Sequence, residues 1–190
     1  MEEKEIKFLN IDTNLIEKKL EEIGAKKLFE RLYKRRVFDY PDLRLNKEGS
    51  WIRVRDEDDK IMLGFKKRIG MGGGKDGNDK GMEEIEVEVS DFNKTCDILL
   101  RSGLIEKHYV ENRRIRYQLD DIEYDIDIWP ELEPYLEIEA PSWDSVHKGI
   151  ALLGLNLDEG KIFSTYQIYK LKGIDFNDYQ LLTFDKVIKK

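Results

Sequence analysis

Charged and apolar residues alternate with period two through six or seven segments of this chain. That pattern constrains the fold most, because each such strand must turn one face to an apolar layer and the other to charge. The first segment, Glu3-Lys4-Glu5-Ile6-Lys7-Phe8, sets Glu3, Glu5 and Lys7 against Ile6 and Phe8. Ser50–Asp56 sets Arg53 and Arg55 against Ile52 and Val54, and Lys60–Arg68 sets Lys66 against Ile61, Leu63 and Phe65. Glu83–Val89 carries Glu84, Glu86 and Glu88 opposite Ile85, Val87 and Val89. Ile105–Leu119 offers Asn112, Arg114 and Arg116 on one face. Asp121–Trp129 offers Glu123, Asp125 and Asp127, and Tyr135–Ala140 offers Glu137 and Glu139.

Helical spacing appears between the strands. Asp12 or Thr13 can cap a helix carrying Leu15, Ile16, Leu20 and Ile23, with Gly24 as its stop. Ser90 can cap a second, with Phe92, Cys96, Leu99 and Leu100 inward and Gly103 as the stop. Pro141 and Ser142 start a third with Trp143, Val146, Ile150 and Leu153, and a last helix runs from about Ser164 to Leu171. A long strand, Ala25 to Tyr40, follows the first helix. Glu5 to Gly24 and Glu84 to Gly103 both span 19 positions, so the order acidic strand, helix, long basic strand occurs twice. This predicts an internal duplication closing into one sheet: a single domain over 1–175, followed by a tail, 176–190, that periodicity leaves unassigned. Gly70–Gly81 holds six glycines and reads as a mobile hairpin loop; it lacks the glycine spacing and the Ser or Thr of a P-loop.

The rows carry charge of both signs, and the composition shows how much. Of 190 residues 38% are charged, against a norm of about 25%, and the net charge is -7. That balance disfavours a general binder of nucleic acid or of anionic membrane. No apolar run approaches the roughly 20 residues of a membrane span, and the first residues lack the apolar segment of a signal peptide. Cys96 is the single cysteine, which excludes an internal disulfide, so the expected location is the cytoplasm. His108 and His147 stand apart with no metal-ligand spacing around them, and Cys96 reads as a buried small hydrophobe. Trp51 shares parity with Arg53 and Arg55, which suits either stacking on an organic group or a place at the sheet rim.

Two arrangements satisfy the alternation. An ordinary antiparallel sheet turns its charged face to water. A sheet closed into a barrel of about eight strands puts the apolar face outside, under the helices, and the charged side chains within. Charges so enclosed must be paired, hydrated or metal-bound. Opposed rows of Arg/Lys and Glu/Asp suit a polyphosphate bridged to a hard divalent cation, since guanidinium forks match phosphate and carboxylates take Mg²⁺ or Mn²⁺.

Glu3-x-Glu5-x-Lys7 resembles the ExExK signature of the CYTH superfamily, the triphosphate tunnel enzymes. Phe38-Asp39-Tyr40-Pro41-Asp42, Leu45 and Ile52-Arg53-Val54-Arg55 follow in that family's order. So do Phe65-Lys66, Glu84-Ile85-Glu86, Arg114, Asp125 to Asp127 and Leu136-Glu137-Ile138-Glu139. The resemblance spans roughly residues 3 to 170. It implies an α+β fold built on a closed eight-stranded antiparallel β-barrel, the triphosphate tunnel, with helices packed outside. It further implies Glu3, Glu5, Glu137 and Glu139 as ligands of Mg²⁺ or Mn²⁺, with Glu86 and Asp127 as further carboxylates of the catalytic site. Lys7, Arg53, Arg55, Lys66, Arg114 and Arg116 become the phosphate contacts, Lys7 also a catalytic group. The sixth strand departs from the family's usual Lys-x-Arg, with Asn112 before Arg114.

The implied partner is a small-molecule triphosphate (ATP, tripolyphosphate or thiamine triphosphate), with no nucleic acid and no membrane, in a monomer or homodimer. Hydrolysis demands less positioning than cyclisation, and no motif specifies an adenine pocket. The expected activity is therefore a metal-dependent triphosphatase. A class IV adenylyl cyclase making cyclic AMP and pyrophosphate is the alternative, and a non-catalytic polyphosphate- or nucleotide-binding module is the third reading.

Overall fold

The computed structural model describes residues 4–68 and 82–190, so Glu3 and the Gly70–Gly81 loop lie outside the described residues. In chain order the elements are β1 (Lys4–Phe8), α1 (Thr13–Glu22), β2 (Lys26–Asp39), α2 (Arg44–Lys47), β3 (Ser50–Asp56), β4 (Ile61–Arg68), β5 (Met82–Val89) and α3 (Phe92–Arg101). Then come β6 (Ile105–Leu119), β7 (Ile122–Ile128), β8 (Tyr135–Ala140), α4 (Trp143–Leu152), α5 (Thr165–Leu171), β9 (Tyr179–Leu182) and β10 (Val187–Lys189). The fold is α+β, with helices and an almost wholly antiparallel sheet. The chain divides into two compact units, Met1–Arg31 with Asn112–Asp175, and Leu32–Glu111 with Phe176–Lys190. The long strands β2 and β6 each contribute to both. No helix among the described residues is long and apolar enough to cross a membrane.

In the first unit the strands run β1-β8-β7-β6-β2. Ile6, Phe8, Ile115, Tyr117, Ile122, Tyr124, Ile126, Leu136 and Ile138 share the apolar face and form one core with Ile16 and Leu20 of α1 and Val146 and Ile150 of α4. The helices therefore cover the apolar side, as the alternation requires. Asp12 caps α1, its carboxylate accepting from Leu15 N at 3.1 Å, and Ser142 caps α4. Ile16 and Leu20, four residues apart, set the buried line of α1. Leu15, one position off that line, is exposed, contrary to the sequence expectation. α4 approaches the sheet closely at Gly149, where a Cβ would stand 3.0 Å from Tyr124 Oη and 3.1 Å from the Cγ2 atoms of Ile122 and Ile138.

In the second unit β2, β3, β4 and β5 follow one another in sequence order, with β9 parallel to β6 and paired to β10. α3 packs Cys96 on Phe38, Val54 and Leu104, with Ile52, Ile61 and Leu63 around them. Asp91 rather than Ser90 caps α3, accepting from Lys94 N at 2.9 Å. The apolar face of β5 lies beyond that cluster, leaving Ile85 and Val87 exposed. The expected tail thus holds two strands and a 3-10 turn, Phe176–Asp178, which short segments without alternation conceal in the sequence.

Among the described residues ten strands replace the expected eight. Their path is open, ending at β1 and β5, with no ladder joining those ends among the described residues, so the closed barrel expected from the resemblance is not what is observed. A local reason is visible at β1. Lys7 N–H donates to Lys161 O at 2.8 Å and Lys161 N–H donates to Lys7 O at 2.8 Å, so the backbone groups of Lys7 on its outer edge are already satisfied within the first unit. Gly160 makes the approach possible, since a Cβ there would fall 2.3 Å from Ile6 Cδ1.

Two stability outcomes follow. Gly149→Val overpacks the seam between α4 and β7/β8 and should cost about 1–3 kcal/mol by urea denaturation, with an unchanged denaturant slope. His108 is buried edge-to-face against Phe176, ring centroids 5.3 Å apart, and burial together with Lys107 and Lys190 pushes it down to about 3. The unfolded chain takes up that proton near the ordinary histidine value, so stability is lost as pH falls from about 6.5 toward 3. His108→Phe should flatten the urea midpoint against pH in that window; an unchanged profile would contradict the burial argument.

Candidate functional site

Directly opposed residues of an antiparallel pair project from the same face, so the register shows which charges meet. In the first unit Lys7 lies opposite Glu137, Glu137 opposite Asp125, and Asp125 opposite Arg116. Two residues along, Glu5 lies opposite Glu139, which lies opposite Glu123. Tyr135, Asp127 and Arg114 form the third row. Of the first unit's expected site residues, Glu5, Lys7, Arg114, Arg116, Asp127, Glu137 and Glu139 all fall on this one face, while Glu3 lies outside the described residues.

Two arginine forks hold the centre. Arg114 Nε and Nη2 donate to Asp127 at 2.9 and 2.5 Å, and its Nη1 meets Asp125 at 2.6 Å. Arg116 Nε and Nη2 donate to Asp125 at 2.7 and 2.6 Å, and its Nη1 meets Glu123 at 2.6 Å. Asn112 Nδ2 adds a bond of 2.9 Å to Asp127. Asp125 and Asp127 are only 1% and 0% exposed, which their bidentate partners make tolerable. Asn112 thus serves Asp127, which a lysine at that position would instead neutralise.

Beside the forks, Lys7 Nζ donates to Glu5 at 2.6 Å and lies 3.0 Å from Glu137. Burial opposes its charge, but Glu137 and Glu5 outweigh that and hold Lys7 up at about 12. Burial would raise Glu137, yet Lys7 and Arg114 hold it down at about 2. Glu5 is raised, by burial and by Glu137 next to it. Carboxylate oxygens of Glu5, Glu137 and Glu139 lie within 4.8 Å of one another, as do those of Glu123, Asp125 and Glu139. The first trio suits a divalent cation, since it brings three hard oxygen donors close together.

The second unit carries a separate face. Arg53 lies opposite Gly64 and Arg55 opposite Met62, while Gly64 lies opposite Glu86 and Lys66 opposite Glu84. Arg53 Nη2 donates to Glu86 at 3.1 Å, Lys66 Nζ meets Glu84 at 2.5 Å, and Arg55 pairs with Glu57. Gly64 leaves the room that lets Glu86 fold back, since a Cβ there would stand 3.0 Å from Glu86 Oε1. Burial, with Arg55 adding, pulls Arg53 down to about 10, and burial with Arg53 lowers Lys66. Cations here are crowded, whereas Lys7, Arg114 and Arg116 in the first unit are held firmly charged by their carboxylates.

The face holds one more cation, Arg35. It lies opposite Arg55 in the β2–β3 ladder and so shares this face, with its guanidinium carbon 5.2 Å from the Tyr33 ring centroid. Parity along β2 alone could have found it once the β2–β3 register was known.

The clamp on Asp127 is testable. Asp127→Ala leaves Arg114 and Asn112 facing an uncompensated gap and should cost about 3–5 kcal/mol in denaturant. The paired change Asp127→Leu with Arg114→Met should recover much of that loss. A single-variant cost below about 1 kcal/mol would contradict the fork assignment.

A family model described as the CYTH domain matches residues 1–162. A Methanocaldococcus jannaschii protein, whose name places it provisionally among adenylate cyclases, is 30% identical over 139 residues, 73% of this chain and 77% of its own. A Vibrio parahaemolyticus structure, named provisionally in the same way, superposes with a TM-score of 0.71 at 12% identity, covering 90% of this chain and 98% of that one. A Hippeastrum structure, whose description combines a provisional adenylyl cyclase name with a dominant triphosphatase activity, gives 0.60 at 16% identity, covering 94% and 99%. The two structures share the fold. The family model covers most of the sequence, including the paired acidic and basic strands, and the chain belongs to the CYTH domain family.

Proposed function

We propose that this protein is a divalent-metal-dependent triphosphatase, hydrolysing an inorganic or organic triphosphate. The observation that carries the reading is the trio Glu5, Glu137 and Glu139, with carboxylate oxygens within 4.8 Å of one another beside the buried Lys7 and the half-buried Arg114. Glu3, two residues before Glu5 on a period-two strand, is proposed to join them. A divalent ion held there, Mg²⁺ or Mn²⁺, supplies Lewis-acid polarisation of phosphoryl oxygens.

The chain's own residues supply the rest. Arg53, Arg55 and Lys66 bind phosphate oxygens and offset the charge of the chain. Their present carboxylate partners, Glu57, Glu84 and Glu86, hold them in place and are exchanged for phosphate on binding. Lys7 offsets charge that develops on the transferred group. Asp127, with both oxygens engaged, acts by orienting Arg114 rather than by moving a proton, and Asp125 does the same for Arg116. Hydrolysis needs only a water positioned on the phosphate chain, and the triphosphatase activity described for the Hippeastrum protein supports that outcome. The cyclase reading draws on the name of the Methanocaldococcus relative.

The deciding assay supplies tripolyphosphate, thiamine triphosphate and ATP separately with Mg²⁺ or Mn²⁺ and measures phosphate, pyrophosphate and cyclic AMP. Phosphate release from at least one substrate is expected, abolished by chelation and reduced about 100-fold or more in Glu5→Gln. Cyclic AMP as the main product from ATP would establish the cyclase instead. Tight tripolyphosphate binding with no turnover under either metal would leave a binding module.

A further inference from the structure

A carboxylate outside the expected phosphate set closes one end of the cation row in the second unit. On β3, Trp51, Arg53 and Arg55 alternate onto one face, and Glu57 follows at the same parity, one residue past the strand. Lys66 lies opposite Trp51, so Lys66, Arg53 and Arg55 span about 13 Å of strand, with Glu57 about 7 Å further on. Glu57 N–H donates to Lys60 O at 2.9 Å where the hairpin turns towards β4. Its side chain points back into the row, one carboxylate oxygen pairing with Arg55 and the other lying 3.6 Å from Lys60 Nζ.

The two ends of the row differ. Glu84, which meets Lys66, is exposed, whereas Glu57 is only 6% exposed. Solvent screens a charge so buried very little. The row therefore runs from an open end at Lys66 to a blind, acidic end at Glu57. Just before that end, Arg55 keeps a donor to spare. Its Nη2 meets Glu57 and lies 3.6 Å from Glu86, while its buried Nε makes no hydrogen bond among the described residues. Such a donor costs free energy until an acceptor meets it. A phosphoryl group at Arg55 supplies the acceptor, and a further one beyond it would meet the Glu57 carboxylate.

We propose that Glu57 is a specificity-determining residue that sets the length of the phosphate chain. The chain enters past Lys66, its terminal phosphate stops at Arg55, and the charge of Glu57 rejects a fourth phosphate. This rests on the triphosphate reading above and narrows its substrate class from linear polyphosphates in general to triphosphates. The selection works by repelling the wrong ligand rather than by added contact with the right one. Lys60, beside the second oxygen of Glu57, offsets part of that repulsion.

The test is calorimetric titration with tripolyphosphate and with linear tetrapolyphosphate, at constant free Mn²⁺, of the wild type, Glu57→Gln and Lys60→Gln, each checked by thermal melting. The readout is the ratio of tetrapolyphosphate to tripolyphosphate affinity, because merely freeing Arg55 would strengthen both ligands alike. Glu57→Gln should raise that ratio about tenfold. Lys60→Gln should lower it about threefold, since it leaves the Glu57 charge less offset. Should Glu57→Gln fail to fold, the exposed Lys60 carries the test alone. Tripolyphosphate binding by the wild type with an unchanged ratio in the folded variants overturns the role of Glu57 and leaves the triphosphate reading standing. No tripolyphosphate binding by the wild type overturns both.

Discussion

A carboxylate taken out of water must find its charge matched within a few ångströms, and the first unit is arranged around that requirement. Asp125 and Asp127 sit under Arg114 and Arg116 in a lattice of forks that fixes four side chains at once. Register does the arranging. Because β6, β7 and β8 pair without a slip in this region, arginines on one strand meet aspartates on the next, and glutamates follow on the third. A shift of one residue would turn every one of these groups into the apolar core beneath α1 and α4.

The two faces carry different electrostatic states. Around Lys7, Arg114 and Arg116 carboxylates predominate, so the cations are held charged, while burial and the neighbouring Glu137 raise Glu5. Around Arg53 and Lys66 the cations are strained by one another and by burial. The first environment is improved by an added cation and the second by an added anion.

Much of this was legible in the sequence. Alternation and turn residues together located the eight main strands to within one or two residues, and the cap of α1 and the stops of α1 and α3 followed from Asp and Gly chemistry, with Gly24 and Gly103 both at left-handed φ, 81° and 93°, while the cap of α3 fell one residue later than expected, at Asp91. The face on which each acid and base falls was also set by parity alone. What escaped was whatever depends on partners distant in sequence. The occupation of β1's edge by Lys161 was one such case, and the place of Arg35 opposite Arg55 was another. So was the attachment of β9 beside β6, because a four-residue strand carries too little alternation to be seen. The failure of α3 to reach over β5 likewise belongs to packing rather than to the pattern of Ile85 and Val87, which reads as buried.

The pair of hydrogen bonds between Lys7 and Lys161 has a consequence for behaviour in concentrated solution. An exposed terminal strand with free amide and carbonyl groups is a template for intermolecular pairing, and β1 is short, with alternate apolar residues. Satisfying Lys7 from a segment that follows α4 removes two donor–acceptor sites from the middle of that template, and Gly160 is what admits the segment. The same small residue therefore helps to guard that edge against intermolecular pairing while leaving the side chains of Glu5 and Lys7 on their own face of the strand.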